Sequence, residues 1–96
     1  MNYLDFVEAT GRAYPDQVAV REGNERWTYA DLLDDVRSAA TVLARAGVES
    51  GDTVLVVLPN TYQFVTATLG ALARQAVVVP VDTRFGRREL GALLEQ

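Results

Sequence analysis

At 96 residues the chain can form at most one small domain, with room for a core but little margin. It is 49 % hydrophobic and 23 % charged, as expected of a globular protein, and its net charge of −4 argues against a nucleic-acid partner. It has no Cys, no His and no Lys, and all nine basic residues are Arg. These absences exclude a thiol nucleophile, a thiolate or imidazole metal site and a Schiff-base lysine. No apolar run nears the roughly 20 residues of a membrane helix. The opening MNYLDFVEAT lacks the basic lead of a secretory signal, so a cytoplasmic location is the expectation.

In chain order, Asn2 can cap a helix from about Tyr3 to Arg12, which Gly11 and Pro15 are expected to end. Gln17–Glu22, with Val18 and Val20 alternating with polar neighbours, reads as an edge-like strand. Gly23-Asn24-Glu25 turns the chain, and Arg26-Trp27 returns as a second strand, giving a small β-hairpin. Thr28 then caps an amphipathic helix, with Asp31 at the capping-box position. Leu32, Val36, Ala39, Ala40 and Leu43 share one face of that helix, and Gly47 is a left-handed stop.

Thr53 to Asp82 carries the centre of the pattern. Val54–Leu58 and Ala76–Val81 are short, continuous apolar runs, the kind that suits parallel strands buried on both faces. Between them Pro59 and Asn60 break the strand, Thr61 can cap, and a helix is predicted over Thr61 to Arg74. The predicted unit is a right-handed strand–helix–parallel strand, with the Thr28-capped helix packed on its sheet. The crossover helix is apolar most of the way round: Phe64, Val65, Leu69 and Leu72 leave it almost no charged face. A small sheet covers one side only, which predicts self-association or further chain against this helix or the sheet face beside it. After Asp82 a polar stretch leads to an incipient helix with Leu90, Leu93 and Leu94, and the ending at Gln96 resembles a cut. The fold class is α/β: a parallel βαβ core, a flanking amphipathic helix and a short N-terminal β-hairpin.

Three segments now stand in order: WTYADL (Trp27–Leu32), Gly47-Val48 to Gly51-Asp52 leading into VLVVLPN, and LARQAVVVPVD (Leu72–Asp82). Together they resemble the N-terminal segment of the adenylate-forming superfamily, which includes acyl-CoA synthetases, luciferases and the adenylation domains of peptide synthetases. The resemblance covers essentially residues 1–96 and implies part of the N-terminal subdomain of that fold. It implies an ATP-dependent carboxylate–CoA ligase, of the kind found in fatty acid metabolism, that forms an acyl-adenylate and then a thioester. ATP, Mg and CoA are implied for the full-length enzyme, and none for this segment alone. The family's phosphate loop, adenine-side aromatics, ribose-binding acid and catalytic lysine have no match here. The chain by itself is therefore expected to be inactive and to supply no catalytic residue. Gln75 departs from the family, which usually has Gly at the stop of the crossover helix. If that position is left-handed, Gln costs on the order of 1 kcal/mol.

Each candidate site carries two readings. Thr28, Tyr29 and Leu32 match a family motif that serves as cap, packing aromatic and core residue, and Trp27 covers the hairpin. Pro59-Asn60-Thr61 lies at a strand end where α/β sheets bind ligands, but no Gly-rich run widens it, so cap and turn is the plainer role. Asp82 is more simply a turn former than a base. Arg84, Arg87 and Arg88 are either a solvated loop or, at Arg84, a contact to a CoA phosphate, as the resemblance implies. The expected partners are the remainder of such an enzyme or a second copy, met through the crossover helix. A free-standing, non-catalytic α/β interaction module derived from the same scaffold is the alternative.

Overall fold

The computed structural model describes residues 2–59 and 61–81. In order these form α1 (Tyr3–Ala13), β1 (Val18–Glu22), β2 (Glu25–Thr28), α2 (Tyr29–Arg45), β3 (Thr53–Val57), α3 (Tyr62–Ala73) and β4 (Val77–Val81). β1 and β2 pair antiparallel as the expected hairpin, with an irregularity between Val18 and Val20. β3 and β4 pair parallel, from Thr53 opposite Val77 to Val57 opposite Val81, with α3 as the crossover. The first core strand thus begins and ends one residue earlier than its apolar run.

The helix starts follow their capping chemistry. At α1, the Asn2 side chain accepts from the Asp5 amide at 2.9 Å while Asp5 accepts from the Asn2 amide at 3.2 Å. Thr28 and Asp31 repeat that reciprocal box at α2, so Asp serves where Glu is usual. Thr61 caps α3 by accepting from the Phe64 amide at 3.4 Å. The stops of α2 and α3 share one motif. The Val48 amide donates to Leu43 and the Gly47 amide to Ala44, with Gly47 at φ 93. The Ala76 amide donates to Ala71 and the Gln75 amide to Leu72, with Gln75 at φ 59. Both are Schellman closures, one built on glycine and the other on glutamine.

Leu4, Leu32, Val36, Tyr62 and Leu69 make the core, between α1, α2, α3 and the hairpin. The structure corrects three expectations. Gly11 does not end α1; it lies inside the helix and is buried, where an added Cβ would meet Leu33 Cδ1 at 2.6 Å. The helix ends instead at Ala13, ahead of Pro15. α2 does not rest on the β3–β4 sheet; it packs along α3 and against the hairpin, and α3 covers the sheet. The small residues at the crossing explain this, because at Gly70 an added Cβ would lie 2.7 Å from Ala39 Cβ. Finally, β3 and β4 are not buried on both faces. Val54 and Val56 turn inward along β3, while Leu55 (37 % exposed), Val57 and, on β4, Val77 are open. The large exposed apolar side chains lie on α1, at Tyr14 just after it, on α2 and on the strands, whereas Phe64, Val65 and Leu72 of α3 are half-buried and Leu69 is buried.

Candidate functional site

Sheets of this type bind ligands beyond the carboxyl ends of their strands, here where β3 turns into α3. The first turn of a helix presents free amides that favour an anion. In this chain the first helical amide of α3 already has one. The Tyr62 N–H donates to Glu22 Oε2 at 2.6 Å, across 40 residues of sequence. Glu22 ends β1 and stands opposite Glu25 in the hairpin register, a like-charge pairing unfavourable in isolation. Its carboxylate is turned to the helix end, where the macrodipole favours it.

Two further contacts converge on the same residue. The Tyr62 ring stacks on Trp27 with centroids 3.8 Å apart and planes within 3°. Its hydroxyl donates to Asp35 Oδ2 at 2.5 Å. β1, β2 and α2 are thus all tied to the opening residue of α3. Burial raises the Tyr62 phenol well above its ordinary value, and the hydrogen bond to Asp35 and the charges of Asp35 and Asp31 raise it further. A phenol so held stays protonated at neutral pH and donates; it is not a base or a nucleophile. The arrangement is a clasp between elements, with no opening for a phosphate at the Tyr62 amide.

The sequence-predicted positions divide accordingly. Thr28 caps α2, Leu32 is 2 % exposed in the core, and Thr61 caps α3, as the structural roles required. Trp27 covers the hairpin by stacking on Tyr62, a partner the sequence did not name. Tyr62 itself was missed. The available signal was a tyrosine directly after a capping threonine, since a buried phenol needs a polar partner. Asn60, Asp82, Arg84, Arg87 and Arg88 lie outside the described residues. Among the described residues no three Asp or Glu side chains are grouped to hold a metal ion.

Known proteins resemble this chain in sequence and in fold. The chain is 37 % identical over 90 residues to a methyl-dioxo-octahydro-indenyl-propanoyl:CoA ligase of Rhodococcus jostii, covering 94 % of the chain and 18 % of that protein. It is 40 % identical over 76 residues to a salicylyl-CoA synthase / salicylate adenylyltransferase of a Streptomyces species, covering 79 % of the chain and 13 % of the relative. The N-terminal subdomain of NpsA from Klebsiella oxytoca superposes with a TM-score of 0.91 at 25 % identity, over 97 % of this chain and 24 % of that one. The chain spans under a fifth of the length of these curated relatives and corresponds to their N-terminal part. The family model described as AMP-binding enzyme matches residues 7–96. On that match, over nearly the whole chain, the protein belongs to the AMP-binding enzyme family.

Proposed function

We propose that residues 1–96 are the N-terminal segment of the adenylate-forming domain of an ATP-dependent carboxylate–CoA ligase. The observation that carries this is the match over residues 7–96, with relatives that are acyl-CoA and salicylate ligases. In that setting ATP would supply the adenylyl group that activates the acid, and CoA the thiol that accepts it. The described residues do not fit a phosphate at the start of α3, because the Tyr62 amide is taken by Glu22. No catalytic step is therefore assigned to them. Their role is architectural: the clasp holds α3 against the hairpin and α2, and α3 supports β3 and β4. Arg84 remains the proposed contact to a CoA phosphate.

The proposed partner is the remainder of such an enzyme. Leu55, Val57 and Val77 offer it a partly open apolar sheet face, and the relatives have ample further chain to cover it. With no such chain, a second copy would use the same face. A graft tests the functional reading: residues 7–96 replace the matching segment of the Rhodococcus jostii ligase. The graft is expected to keep acid-dependent pyrophosphate exchange, and the 96-residue chain alone to show none. A graft that folds by circular dichroism yet shows no exchange would overturn the proposal, as would exchange that tracks the pure 96-residue chain.

A further inference from the structure

Away from the clasp, the outer faces of α1, α2 and α3 form a groove unlike the rest of this acidic chain. Two adjoining open cavities of about 330 Å³ and 430 Å³ share Arg37, Ala40 and Ala73. Arg12 borders the first, and Arg45 and Arg74 the second. Four of the six arginines among the described residues therefore line one continuous surface; only Arg21 and Arg26, in the hairpin, do not. Among the described residues the ion pair formed is Arg37 with Asp34 at 3.2 Å, on a fully solvated part of α2. Arg12, Arg45 and Arg74 have no carboxylate partner there, although Glu8 shares the rim. Arg74 donates from Nη2 to the Val48 carbonyl at 3.0 Å, while its buried Nε has no acceptor.

The shape selects the ligand class. Along α2 the groove runs from Leu33 to Arg45, about 18 Å of helix axis, which is far longer than a single phosphate. Its floor is small, Ala40 and Ala73, so a partner backbone can approach closely. Its sides carry guanidinium groups, which suit two-pronged contact with carboxylates. We propose that this groove docks an acidic amphipathic helix of a partner protein, its small or apolar face on the alanines and its carboxylates against Arg12, Arg37, Arg45 and Arg74. The proposal is independent of the ligase reading, because no residue of the clasp or of the sheet face takes part.

The test uses the whole 96-residue chain and a fluorescein-labelled, helix-forming peptide of about 14 residues with Leu on one face and Glu at i, i+4 positions beside it. Fluorescence polarisation is expected to show saturable binding that weakens several-fold between roughly 50 and 200 mM NaCl. The same peptide with Lys for Glu is expected not to bind. The double variant Arg12→Gln with Arg45→Gln, both on exposed helix surface, should bind about tenfold more weakly with an unchanged circular dichroism spectrum. If that pair unfolds, Arg45→Gln alone provides the same comparison. Arg21→Gln with Arg26→Gln should bind as the parent does. No binding of the Glu peptide, equal binding of the Lys peptide, or indifference to the Arg45 substitution overturns the proposal. Full displacement by millimolar inorganic phosphate would mark a small-anion site instead. Arg45-dependent binding to phosphatidylglycerol vesicles without peptide binding would mark a lipid surface, and either result also overturns it.

Discussion

Gln75 sits at φ 59, in the region where a side chain crowds the backbone, and its Oε1 accepts from Ser50 Oγ at 3.0 Å. The expectation of a left-handed helix stop is met, and a glycine there would relieve the strain. It would also forfeit an exposed side-chain hydrogen bond worth less than the strain it removes. Gln75→Gly should therefore stabilise the chain by roughly 0.5–1 kcal/mol, read from the urea midpoint at unchanged slope. Tyr62 gives a prediction in pH. Its phenol titrates higher when folded than when unfolded, so its contribution is fully present below pH 10 and fades as pH rises past that value. The unfolded chain loses the proton first, at up to roughly 1.4 kcal/mol per pH unit for this single group. Urea titrations at successive pH values above 10 should show falling stability, with Tyr62→Phe showing a shallower fall. A curve the same for both proteins would remove Tyr62 from the account.

Elements meet here through small residues, and two glycines separate tight contacts from forgiving ones. At Gly70 an added Cβ would lie 2.7 Å from Ala39 Cβ and 3.1 Å from the Ala40 backbone nitrogen. Neither can swing aside, so Gly70→Ala must push α3 from α2. A loss of about 1–3 kcal/mol is expected despite the better helix former. At Gly11 the obstructing atom is the end of the Leu33 side chain, which can rotate. Gly11→Ala should then stay within about 1 kcal/mol of the parent, because propensity gained offsets repacking. Thermal unfolding of the two variants in parallel checks the contrast. Such element-level detail was only partly legible in the sequence. Helix starts were readable because Asn2, Thr28 and Thr61 carry their capping partners within three residues. Gly11 misled because a glycine near a helix end signals a stop as readily as a close crossing, and only the neighbouring helix distinguishes them.

At the scale of the molecule, the parallel pairing of β3 and β4 and the hairpin could be read from apolar runs and turn residues. The open sheet face was expected only as one alternative, beside an open crossover helix. Continuous Val-rich runs signal burial on both sides, and among the described residues α3 covers one side while the other is only partly buried, at Val81. Leu55 and Val57 lie on the uncovered side, exposing apolar surface worth roughly 25 cal/mol per Å² when buried. Sedimentation of the 96-residue chain at micromolar concentration should show association, and Leu55→Ser should reduce it at a cost of roughly 1–2 kcal/mol in folding stability. A strictly monomeric parent would remove this expectation. The clasp was hidden, since nothing local to Glu22 indicates a helix start 40 residues away.

That separation gives the clasp a temporal meaning. During synthesis the hairpin residues leave the ribosome well before α3, so the Glu22 carboxylate is available when Tyr62 emerges. The third helix can then begin on an anion and an indole face already presented to it. Ordering α3 against the hairpin closes a loop of 40 residues, an entropy cost that local helix formation does not carry. One proton reports on the event: the Tyr62 amide, whose exchange with deuterium measures how often the hairpin lets go of the start of α3.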